Sequence, residues 1–139
     1  MTSASVERSS TKVTTAVRRM TFGLVALLGG AGVTHFVVPT GYDGIVPHVL
    51  PGSPRMWTYV SGVAELIVAG AIAVPRTRRL GAGLAALLFI AVLPANVQMA
   101  IDWKSRSLSQ RLIAYGRLPL QLPLIWLALR VRKAAPPKP

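Results

Sequence analysis

The chain has 139 residues, 52% of them hydrophobic and 14% charged, with a mean hydropathy of +0.50 and a formal net charge of +12. A soluble domain usually carries about 25% charged residues. Here the positive charge sits beside apolar runs and not on a face with interleaved aromatics, which argues against nucleic acid as a partner. Without any cysteine, the chain offers no disulfide, thiolate nucleophile, CxxC redox pair, Fe–S cluster or thiolate metal site.

Residues 1–18 are rich in Ser and Thr, lack an apolar period and read as a disordered basic cytoplasmic tail. Residues 19–131 read as one all-α domain, a transmembrane four-helix bundle, and 132–139 as a second disordered tail. The first apolar run covers about 20–38. It is just long enough to span a bilayer, which takes about 20 residues. Arg18 and Arg19 precede it as in an export signal, but no A-x-A site follows, so an uncleaved helix is expected. Pro39 to Pro54 is too rich in proline and glycine to span. Its Ile45, Val46, Val49 and Leu50 suggest a loop packed at the interface, with Tyr42, Trp57 and Tyr59 at the level of an aromatic belt.

The second run, about 56–74, stops at Pro75 and Arg76. The third, about 80–101, contains Pro94, where a kink is expected. A polar loop with Trp103 follows. The fourth run, about 112–129, is the weakest, because it holds Arg117, Pro119, Gln121 and Pro123; a re-entrant helix is its alternative. Arg18, Arg19, Arg76, Arg78, Arg79, Arg130, Arg132 and Lys133 would share one side, against Arg55, Lys104, Arg106 and Arg111 on the other. The positive-inside rule then gives N-in/C-in, with the basic inner ends against anionic lipid headgroups.

Small residues should let these helices approach closely: Gly29, Gly30 and Gly32 in the first, Gly62, Ala69 and Gly70 in the second, Gly81, Gly83, Ala85 and Ala86 in the third. Polar side chains within apolar runs are expensive and are the candidate ligand-binding residues: His35, Ser61, Glu65, Asn96, Gln98 and Arg117. Trp57, Ser61 and Glu65 are four apart and share a helix face. Glu65 is expected to be protonated or paired with Arg117 or His35, in one polar pocket in the outer half of the bundle. The alternative is a buried pair that only fixes packing. The alternatives are that Asn96 caps backbone freed by Pro94 and that Gln98 faces solvent. Two histidines without neighbouring carboxylate clusters give no metal site, and haem lacks a second axial histidine. No nucleotide, hydrolase or kinase motif is present.

The segments GVTHFVVP (Gly32 to Pro39), IVPHVLP (Ile45 to Pro51), WTYVSGVAEL (Trp57 to Leu66), PRTRR (Pro75 to Arg79) and LPANVQMA (Leu93 to Ala100) together resemble the DoxX-like family of small bacterial membrane proteins. The resemblance implies a four-helix bundle in the bacterial inner membrane. It also implies a redox-associated role beside a membrane oxidoreductase, with quinone as the candidate cofactor. The expected function is an accessory or redox-associated subunit, without catalytic activity of its own, that binds a partner, lipid or quinone in the outer-half polar pocket. The alternatives are a quinone-linked enzyme subunit using Glu65 and His35 for proton transfer, and an assembly factor with no ligand.

Overall fold

The computed structural model describes residues 3–136, with side chains described from residue 14 onward. Regular structure among the described residues is helical throughout: α1 (Ser3–Val37), α2 (Pro39–Asp43), α3 (Pro54–Ala73), α4 (Arg78–Ala91), α5 (Leu93–Asp102) and α6 (Leu108–Ala134). Four stretches are long and apolar enough to cross a membrane: Thr14–Val37, Pro54–Ala73, Arg78–Asp102 and Leu108–Ala134.

The sequence expectation of a disordered tail through residue 18 is corrected, because α1 begins at Ser3. No glycine or proline interrupts the chain between Ser3 and Phe22, so nothing stops the helix from extending. At the other end α6 continues to Ala134, and the remainder of the expected C-terminal tail, 137–139, lies outside the described residues.

Each boundary has a local cause. Ser53 caps α3 by accepting a hydrogen bond from the Met56 backbone N–H at 3.2 Å, with Pro54 at the first helical position. The far end of α3 is closed by Arg78, whose Nε and Nη2 donate to the carbonyls of Ile72 (2.9 Å) and Ala73 (3.1 Å). The turn into α4 is tight, because a β-carbon on Gly81 would stand 2.7 Å from the Ala71 and Ile72 backbone. Pro94 breaks the third span where a kink was expected: α4 ends at Ala91 and α5 starts at Leu93. Proline lacks an N–H and its ring crowds the carbonyl four residues back. The fourth run, by contrast, is one continuous helix despite Pro119 and Pro123, longer than the 112–129 stretch its hydropathy suggests.

The helices form a closed ring: α1 packs on α3, α3 on α4, α4 on α6, and α6 returns to α1. One apolar cluster fills the arginine-rich end, with Leu24, Leu28, Val68, Ile72, Ala85, Phe89 and Val131 among its members. A second, small cluster of Ile45, Met99 and Ala114, flanked by Tyr42 and Trp103, fills the end covered by α2 and its loop. Of the loop residues expected to pack, Ile45 is buried whereas Val49 is almost fully exposed.

Close approach is confined to a few of the small residues. A β-carbon on Gly62 would lie 2.7 Å from His35 Cβ, and one on Gly32 would lie 2.8 Å from Leu66 Cγ. These two glycines mark the crossing of α1 and α3. Gly29, Gly30 and Gly70 face open space.

Candidate functional site

A polar layer lies between the two apolar clusters. On α3, Glu65 comes one turn before Val68 of the first cluster. On the broken span, Asn96 falls between Phe89 of the first cluster and Met99 of the second. On α6, Gln121 falls between Ala114 of the second and Ala128 of the first. The helices that share these clusters therefore hold the three side chains in the intervening layer. His35, in the last turn of α1, reaches it across the Gly62 gap.

The closest contact is between His35 Nδ1 and Glu65 Oε2, at 3.1 Å, with both side chains largely buried. The same Nδ1 lies 2.8 Å from the Ala31 carbonyl. A carbonyl only accepts, so Nδ1 carries the hydrogen and points it at Ala31. Glu65 Oε2 is thus near the ring but off the N–H axis, and it has no hydrogen-bond partner. We take the contact as electrostatic. Of the two partners that the sequence offered Glu65, His35 is the one in contact. Arg117 lies within electrostatic range of the His35 ring and is half-buried.

Tyr42 holds the histidine from the loop side. Its ring stacks on His35 with centroids 3.7 Å apart, and its hydroxyl lies 2.6 Å from Thr34 Oγ1. Thr34 Oγ1 in turn donates to the Ala31 carbonyl at 2.8 Å, so the Tyr42 hydroxyl donates to Thr34.

Asn96 and Gln121 are each buried, and Asn96 Nδ2 and Gln121 Oε1 lack partners, as Glu65 Oε2 does. Asn96 does not cap backbone freed by Pro94 through Nδ2. An unpaired polar atom in a dry interior costs about 1–3 kcal/mol. Gln121 escaped the sequence selection. Its signal was the same as that of the chosen residues, a polar side chain in an apolar helix, but the flanking prolines made that run look marginal.

Two of the selected residues stand apart from the layer. Gln98 turns to the surface, where Nε2 donates to Asp102 Oδ1 at 2.9 Å. Ser61 is half-buried on the Glu65 face, one turn toward the loop end, and takes no part in these hydrogen bonds. No group of three or more His, Cys, Asp or Glu suited to a metal occurs among the described residues.

The loop over this end has its own anchor, which sequence reasoning also missed. Asp43 Oδ2 accepts from Arg55 Nε and pairs with Nη2, both at 2.8 Å, while Oδ1 accepts from Thr58 Oγ1 at 2.7 Å. The Arg55 guanidinium, and then the Thr58 hydroxyl, hold the Asp43 carboxyl below the usual carboxylate range. Trp57 Nε1 donates to the Pro51 carbonyl at 2.7 Å and ties the loop a second time.

With this geometry in place, the comparison with known families is decisive on one point. Residues 24–132 match the family described as Domain of unknown function (DUF8561). The chain belongs to that family. The DoxX-like resemblance is thereby corrected: its short strings record the boundaries of apolar helices and a polar layer, features that unrelated bundles share. The quinone and oxidoreductase expectations that followed from it lose their support. No curated protein and no solved structure matches the chain.

Proposed function

We propose that this DUF8561 protein is an integral membrane protein with four spans and both termini on the inner side. Its polar layer binds a small molecule or partner group that carries both hydrogen-bond donors and acceptors. Four long apolar helices support the membrane placement, as do large apolar side chains left exposed around the bundle, such as Phe22, Ile67, Leu87 and Leu122. The basic residues gather at the end opposite α2, which supports the orientation.

The observation that carries the binding reading is a trio of buried atoms on three helices that lack a hydrogen-bond partner: Glu65 Oε2, whose one close contact is the His35 ring, Asn96 Nδ2 and Gln121 Oε1. Networks that serve packing alone are usually satisfied internally. This layer instead presents a carboxylate, an amide N–H and an amide carbonyl, with the Arg117 cation nearby. A polar ligand entering from the loop end would satisfy all of them.

A second reading treats the layer as packing only. It is favoured by the His35–Glu65 contact falling at the Gly32–Gly62 crossing, where it joins α1 to α3. The proton-transfer reading needs a redox substrate, and without the withdrawn resemblance nothing supplies one.

Native mass spectrometry of the full chain in lipid nanodiscs, wild type beside Glu65→Gln, separates the two. A stoichiometric non-lipid adduct on the wild type that is lost from the folded variant is the expected result. Folded, adduct-free protein in both would leave the packing reading.

A further inference from the structure

A second feature lies away from the polar layer. A cavity of about 560 Å³ lies at the arginine-rich end, between α4 and α6. Its lining changes character along its length. Arg76 and Arg79 from the turn and start of α4, and Arg132 from the end of α6, stand at one end. Leu84, Leu87 and Ile90 continue along α4, and Ile125 and Leu129 along α6. At a rise of about 1.5 Å per residue, Arg79 to Ile90 covers roughly 16 Å of helix, so the apolar trough runs from the basic end toward the middle of the bundle.

Among the residues described with side chains, no carboxylate stands beside these arginines. The carboxylates described with side chains are Asp43, Glu65 and Asp102; Asp43 and Asp102 belong to the α2 end, and Glu65 to the polar layer. Arg79 spends one N–H on the Ala135 carbonyl at 3.4 Å, while Arg76 has no hydrogen bond or ion pair with the described residues. Gly83 forms the floor beneath Arg132: the three atoms nearest a β-carbon there all belong to the Arg132 side chain, at 3.5 Å or more.

We propose that this groove binds an anionic phospholipid, with its phosphate among Arg76, Arg79 and Arg132 and an acyl chain along the Leu84–Leu87–Ile125–Leu129 trough. A free anion would use the arginines and leave the trough empty. A neutral apolar molecule would use the trough and leave the arginines unpaired. One amphiphile satisfies both, and basic clefts between membrane helices recognise anionic headgroups in this way. The site is independent of the polar layer and involves none of its residues.

The test is native mass spectrometry of the full chain in detergent, with dioleoylphosphatidylglycerol, dioleoylphosphatidylcholine or inorganic phosphate added in turn. Phosphatidylglycerol should be retained in preference to phosphatidylcholine. Arg132→Gln should weaken its retention roughly fivefold. Gly83→Leu, which fills the floor and leaves every charge in place, should abolish it, while Glu65→Gln should have no effect. Equal retention of the two lipids overturns the proposal. So does displacement of phosphatidylglycerol by phosphate alone, or undiminished binding in Gly83→Leu.

Discussion

Gly62 makes room for His35. A β-carbon at position 62 would stand 2.7 Å from His35 Cβ, so the missing side chain is what allows the imidazole to cross from α1 to Glu65, one turn along α3. The polar contact and the helix crossing are one feature of the sequence.

Gly62→Ala should therefore destabilise the α1–α3 pair by about 1–3 kcal/mol, the usual cost of overpacking. Gly70→Ala, on the same helix but facing open space, should be neutral or slightly stabilising. Thermal unfolding in nanodiscs, followed by circular dichroism, compares the two, and equal melting temperatures would remove the crossing from the account.

Asn96→Leu removes a buried side chain whose Nδ2 has no partner and substitutes an apolar one of similar size. In the ligand-free protein it should raise stability by about 1–3 kcal/mol, the desolvation cost of an unpaired group. It should also remove the adduct expected on the wild type. A stability gain with loss of binding is the signature of a group kept for a ligand; a loss of stability would mean that Asn96 already serves packing.

Loss of Glu65 leaves His35 its hydrogen bond to Ala31, whereas loss of His35 leaves the Glu65 carboxyl buried without the imidazole that faces it. His35→Leu should therefore cost about 3–5 kcal/mol with Glu65 present and much less in a Glu65→Leu background. A double-mutant cycle on thermal unfolding reads this coupling, and additive effects would show that the 3.1 Å approach carries no energy.

The loop anchor gives a pH dependence with a definite sign. Arg55 holds the folded-state pKa of Asp43 below its unfolded value of about 3.9. The anchor is thus fully present above that value and is lost as pH falls through the lower folded pKa. Trp57 reports on the loop through its bond to Pro51. In a variant with Trp103 and Trp126 replaced by Phe, its fluorescence should change in that acid window. Asp43→Asn should show the acid form at neutral pH.

Hydropathy and charge placed the apolar helices and gathered the basic residues at one end, because both depend on composition along a single helix. The same reasoning selected His35, Glu65 and Asn96. It did not choose between His35 and Arg117 as the partner of Glu65, since that depends on how α1, α3 and α6 are rotated about their axes. Nor did it separate Gly32 and Gly62, which meet another helix, from Gly29, Gly30 and Gly70, which do not. Gln121 was hidden by the prolines on either side, which lower the apparent quality of a helix whose backbone nevertheless continues. The Asp43–Arg55 tie was illegible because its partners sit on either side of a loop that has no periodicity.

The central claim is a membrane bundle whose polar layer is reached from the face opposite the arginine-rich end. Because the chain has no cysteine, single-cysteine variants test it directly with a membrane-impermeant maleimide applied to intact cells. Ser61→Cys, one turn from Glu65 toward the loop end, should be labelled from outside. Ala134→Cys, at the arginine-rich end, should be labelled only after the cells are opened. Labelling of Ala134→Cys in intact cells together with protection of Ser61→Cys would contradict both the orientation and the outward-facing layer.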